Sequence, residues 1–114
     1  MNLDQFLTTL KNTPDEIAFD DTISVIEKLY DFTPVAFSNG DLNNEAGQNS
    51  GSCKIFAFAK LQELSEELTL HCFGDYYRKD VLENPQGTDH RNIRNFMKSG
   101  WKEIHFTTEP LRLK

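Results

Sequence analysis

The stretch Gly47–Ala59, G-Q-N-S-G-S-C-K-I-F-A-F-A, constrains this chain more than any other. It passes from a polar, glycine-punctuated loop into the most apolar run of the sequence. Read as a helix, residues 53–64 carry apolar groups on nearly every face, and such a helix belongs inside a core. The run Ile55-Phe56-Ala57-Phe58 alone also fits a strand; the length of the full segment favours the helix. Ser52 is placed to cap a helix starting at Cys53, its hydroxyl taking an amide that the first turn leaves unbonded. Cys53 then sits where a helix dipole and Lys54 both favour negative charge.

The remaining segments supply faces to cover that helix. Leu3, Phe6, Leu7 and Leu10 fall at helical spacing within residues 2–12. Thr13-Pro14-Asp15-Glu16 reads as a new start with Pro14 in its first turn. Phe19, Ile23, Ile26 and Tyr30 predict a helix over about 20–30, ended by Asp31-Phe32-Thr33-Pro34. Val35–Phe37 reads as a short strand or an extended segment, Ser38–Asp41 as a turn and Leu42–Gly51 as a polar loop. Ser65 caps a helix that the spacing of Leu68, Cys72, Phe73 and Tyr76 carries towards Leu82; Gly74 inside it costs about 1 kcal/mol against alanine and marks a close packing contact or a kink. After the turn Asn84–Gly87, Thr88 or Asp89 caps a helix over 90–99 that stops at Gly100. Ile104 and Phe106 suggest a closing strand. The expected fold is therefore mainly α, a single domain over 1–114 with one or two short strands; the alternative is an α+β arrangement with helices on a small sheet.

Composition excludes several classes. Twelve Lys and Arg stand against eighteen Asp and Glu, a net charge of −6. That argues against general binding of nucleic acid or anionic membranes. The charge is uneven: residues 1–77 hold four bases and thirteen acids, and residues 78–114 hold eight bases and five acids. No apolar run is long enough to span a bilayer, so no membrane insertion is expected, and the first residues lack the pattern of a Sec signal. Cys53 and Cys72 in apolar surroundings suit a reduced compartment. His71, His90 and His105 show no metal-ligand spacing, and no P-loop, dinucleotide glycine pattern or nucleophile elbow is present. No metal and no cofactor is expected.

Five blocks together carry a resemblance: Y-D-F-T-P-V-A-F-S-N-G-D at 30–41, the opening stretch at 47–59, F-G-D-Y-Y-R-K-D-V-L at 73–82, D-H-R-N-I-R-N-F-M at 89–97, and G-W at 100–101. In order and spacing the chain resembles the HopJ type III effector family over nearly its whole length. The resemblance implies a bacterial protein, resident in the cytoplasm or passed by a type III system into a host cell, with a link to virulence. It brings no biochemical activity that could be assigned to particular residues.

Two constellations carry chemistry. The first is a thiol site, in which Cys53 is the nucleophile and His90 the base, oriented by Asn92; the same Cys53 equally reads as packing for Phe56. The second is a polar pocket of Asn39, Asn49, Ser52, Asp75, Tyr76, Tyr77, Arg78, His90, Asn92 and Arg94. Arg78 and Arg94 have the planar fork that grips a carboxylate or phosphate, and the amides at Ser52–Cys53 add donors. The competing reading makes these groups a network that fixes loops. The expected function is binding, with a small acidic ligand or a host or bacterial protein as partner; the alternative is a small thiol enzyme.

Overall fold

The computed structural model describes residues 1–114. Five α-helices, a π-helix and five strands make an α+β fold, which corrects the mainly α expectation. The helices are α1 (Leu3–Asn12), α2 (Phe19–Leu29), α3 (Ser50–Leu61), α4 (Glu66–His71) and α5 (Arg91–Ser99), with the π-helix at Tyr76–Val81. The strands are β1 (Tyr30–Phe32), β2 (Phe37–Asn39), β3 (Leu42–Asn44), β4 (Ile104–Phe106) and β5 (Leu111–Leu113).

The strands form two antiparallel sheets, β1 with β5 and β3-β2-β4. In the larger sheet Phe37 lies opposite Asn44 on one side and Phe106 on the other. In the smaller, Tyr30 pairs with Leu113 and Phe32 with Leu111. The sequence reading placed β1 at a helix end and β3 inside a loop. Each strand is three residues long. Three residues are too few for alternation to show, and the partner of β1 lies at the far end of the chain, so tertiary pairing decides these strands.

Helix α3 runs through the centre. Cys53, Ile55, Phe56, Ala57, Phe58 and Ala59 on it are all buried. Phe56 meets the rings of Phe96 at 4.9 Å, Phe73 at 5.4 Å, Phe37 at 6.3 Å and Trp101 at 6.4 Å. Phe58 meets Phe6 at 5.8 Å and Tyr30 at 6.3 Å. One face of α3 thus binds α5 and the larger sheet, and another binds α1 and β1. Such edge and tilted ring contacts add to the area they bury.

The single helix expected from Ser65 towards Leu82 is broken. Helix α4 ends at His71, and Gly74 takes φ +62°. A Cβ there would lie 2.5 Å from the Phe19 amide nitrogen, so the backbone of α2 and Gly74 touch in a way only glycine permits. The chain restarts as the π-helix, where the Leu82 amide reaches back to the Tyr77 carbonyl at 3.0 Å. This wider turn sends Tyr76 and Asp80 towards one side and Arg78 towards the loop at residues 14–17.

Candidate functional site

Two helices begin in the same unusual way. Asn49, before α3, has φ 52° and ψ 46°. His90, before α5, has φ 49° and ψ 48°. Both are left-handed positions that non-glycine residues seldom occupy, and neither side chain caps its helix. The helix that was expected to start at Cys53 therefore starts three residues earlier, and Ser52 lies inside its first turn rather than at its cap. Thr88 and Asp89 likewise give way to His90.

The first amides of these helices with a backbone acceptor are Cys53, bonded to the Asn49 carbonyl at 3.0 Å, and Arg94, bonded to the His90 carbonyl at 3.1 Å. The amides of Ser50, Gly51 and Ser52 and of Arg91, Asn92 and Ile93 precede them and have no acceptor within the protein. Both helix starts line one cleft of about 560 Å³. Its far wall is apolar, formed by Phe19, Leu42, Phe73 and Tyr76. The electrostatics of the opening follow from the backbone: unbonded N–H groups and helix dipoles favour negative charge.

Four asparagines hold the two starts together. The Asn39 amide donates to the Asn92 carbonyl at 2.8 Å and to Asn92 Oδ1 at 3.0 Å. Asn92 donates to Asn44 Oδ1 at 3.0 Å, and Asn49 donates to the same oxygen at 2.7 Å. Asn44 returns a bond to Asn92 Oδ1 at 3.2 Å. The network joins β2, β3 and the starts of α3 and α5. Asn39 Oδ1 alone is buried without a partner. The Asn39 amide is turned so that its NH2 reaches the Asn92 carbonyl and Asn92 Oδ1 together.

His90 is held from three sides. Its Nε2 lies 3.1 Å from Asp80 Oδ2 and 3.9 Å from Asp89 Oδ2. Its ring tilts against Tyr76 at 5.2 Å, and Tyr76 in turn stands edge-on to Phe19 at 5.0 Å. Asp89 is engaged by Arg94 at 2.7 Å, and this bond holds its carboxyl below the usual range.

The structure thus gathers Asn49, Ser52, His90 and Asn92 in the cleft, with Asn39 beneath them. Arg94 sits behind the loop at residues 84–89, where it donates to the Asn84 and Asp89 carbonyls at 2.9 and 2.6 Å. Arg78 donates to the carbonyls of Pro14, Ile17 and His71. Both guanidinium forks are therefore occupied within the protein, Arg78 mainly by main-chain oxygens and Arg94 by two carbonyls and the Asp89 carboxylate. Asp75 is exposed beside Lys79 and Arg78, and Tyr77 packs edge-on to His71 at 5.4 Å. Asp75 and Arg78 line a neighbouring depression that shares Phe19 and Tyr76 with the cleft.

Cys53 is 2% exposed, and burial pushes its thiol up to about 11. Lys54 points to Glu27 at 3.6 Å and lies over the Phe32 ring at 4.9 Å, so it does not lower the thiol. At neutral pH the thiolate that nucleophilic chemistry needs is not formed. Cys72 is buried too, its thiol pushed up to about 12. The sequence reading missed Asn44, Asp80 and Arg91.

The Arg78 hub makes a separate pH prediction. Burial, and then the Arg78 guanidinium 3.3 Å from Nδ1, lower the pKa of His71, against weaker opposing pulls from Asp15 and Glu67. The folded protein therefore prefers neutral His71. Its contribution is complete above the unfolded pKa of about 6.5 and is lost as pH falls from there through the lower folded value. Melting curves from pH 7.5 to 5 are expected to fall more steeply for the wild type than for His71→Gln. Parallel curves would contradict this.

The family described as HopJ type III effector protein matches residues 3–111. The chain belongs to the HopJ family. A HopJ protein of this sequence is also similar to a solved structure, described as the crystal structure of unknown function protein VPA0580. The two share 54% identity with a TM-score of 0.98, over 100% of this chain and 95% of that one. No curated protein matches the chain. No helix is long and apolar enough to cross a membrane.

Proposed function

We propose that this HopJ protein is a small binding protein whose cleft takes a small acidic ligand, a carboxylate in the first instance. One observation carries the reading: two helices start from left-handed residues, leave their first amides without a protein acceptor, and have those starts in the wall of the same cleft. Each start alone favours an anion modestly; two starts with unbonded amides on one volume favour it more. Arg91 lines the same cleft and adds a formal positive charge. Of the carboxylates nearby, Asp89 is paired with Arg94, and Asp80 lines the neighbouring depression rather than the cleft. The net charge of −6 then disfavours polyanions at long range while leaving a short-range site for a small one.

Calorimetric titration with succinate at constant ionic strength tests the reading. Saturable binding with a Kd of about 1 mM or tighter and a melting midpoint that rises with succinate concentration are expected. Neither heat nor a midpoint shift beyond that of sodium chloride would overturn it. Passage through a type III system and a role in virulence are separate expectations of the family's name. A reporter fused to the chain and followed into host cells tests delivery.

A further inference from the structure

We infer that the cleft hydrolyses an ester of a small acid, with His90 as general base and Asp80 as its positioning residue. The inference rests on the binding reading above: the acid that the cleft holds is the product that hydrolysis of its ester releases.

Asp80 ends up beside His90 because the π-helix turns it there, across the loop at residues 84–89. A carboxylate only accepts hydrogen bonds, so at 3.1 Å it is Nε2 of His90 that donates, to Asp80 Oδ2. The second carboxylate, Asp89 at 3.9 Å, faces the same nitrogen and favours the same tautomer. Nδ1 is left with its lone pair and makes no hydrogen bond within the protein. An imidazole with one nitrogen oriented by a carboxylate and the other free is the arrangement a general base needs. The Tyr76 ring packed against the imidazole holds it in this orientation. Residues held in rare backbone conformations, as His90 is at φ 49°, concentrate at functional sites.

The rest of the cleft supplies what the reaction requires. Nδ1 takes a proton from water as the water oxygen bonds to the ester carbonyl carbon. The carbonyl π electrons move onto its oxygen, and that oxyanion meets the unbonded amides of the helix starts. Collapse re-forms the carbonyl and breaks the bond from carbon to the alcohol oxygen. The imidazolium returns its proton to that oxygen. Acid and alcohol leave, and the protein is unchanged, with water as the co-reactant. The apolar wall of Phe19, Phe73 and Tyr76 suits the alcohol portion.

The mono-4-nitrophenyl ester of succinic acid is the probe, with release of 4-nitrophenol followed alongside succinate binding. Saturable turnover by the wild type is expected. His90→Asn keeps a side chain that tolerates the left-handed backbone and is expected to lower kcat/KM about a hundredfold or more, far beyond any change in its succinate Kd measured in parallel. Asp80→Asn leaves the base in place without its orienting charge and is expected to shift the pH profile of kcat. No saturable turnover by a wild type that binds succinate would overturn the hydrolysis and leave the binding reading standing. His90→Asn as fast as the wild type would overturn the role of His90. Failure of both turnover and binding would overturn both readings. If His90→Asn melts below the assay temperature, Asp80→Asn decides: an unchanged rate and pH profile would overturn the pairing.

Discussion

Phe56→Ala is expected to destabilise the protein by about 3–5 kcal/mol. Phe56 is fully buried on the central helix, and its ring lies within 6.4 Å, centre to centre, of four others, on β2, α5 and the segments after α4 and α5. Removing it takes away the transfer energy of one large side chain. It also leaves a cavity that four rings on separate elements cannot close together. Domains of about this size lose about 4 °C or more in melting midpoint per kcal/mol, so a fall of about 12 °C or more is expected. Met97→Ala is the control. Met97 sits one position along α5 from Phe96 and is 45% exposed, so its loss is expected to be small. Equal losses at the two positions would contradict the placement of α3 at the centre.

Gly74→Ala is the second large effect, expected at about 2–5 kcal/mol. Two costs add. An alanine held at φ +62° carries left-handed strain of about 1–2 kcal/mol. Its Cβ would also stand 2.5 Å from the Phe19 nitrogen and 3.1 Å from the Ala18 carbonyl carbon. Those are backbone atoms, so the start of α2 must move, at a cost of about 1–3 kcal/mol. Gly47→Ala separates the two terms. Gly47 has φ +90° with nothing within 4 Å of a built Cβ, so only strain applies there. Denaturant melts of the two variants are expected to differ by the packing cost. Phe19 forms part of the cleft wall, so Gly74→Ala should weaken succinate binding as well, whereas Gly47→Ala should not. Equal effects from both glycines would show that the close approach to α2 carries no energy.

Helices were legible because their periodicity is local. Leu3, Phe6, Leu7 and Leu10 mark α1, and Ile93 and Phe96 mark α5, without reference to anything distant. The strands were not legible, because Tyr30–Phe32 becomes a strand only by meeting Leu111–Leu113. The break at Gly74 was visible as a costly residue inside a helix, but its cause is a contact with Phe19 that the local pattern does not contain.

The cleft was partly legible. Asn49, Ser52, His90 and Asn92 stand in polar, turn-rich segments just before apolar helical runs, and these segments come together. The arginines were not, because a guanidinium that grips a ligand and one that grips loop carbonyls look alike in a sequence. Arg78 and Arg94 do the second. The helix starts were also misplaced: Ser52 and Asp89 have the chemistry of caps, yet Asn49 and His90 take the cap positions with left-handed backbone. Asn44 and Asp80 were passed over because each matters only through one partner, Asn92 and His90.

The convergence of the two helix starts on one anion is tested most directly by following backbone amide resonances during a succinate titration at constant ionic strength. The account predicts saturable shifts, with one common affinity, at Ser50–Ser52 and Arg91–Ile93 together. Shifts confined to one helix start, or spread over exposed lysines and arginines away from the cleft, would contradict it.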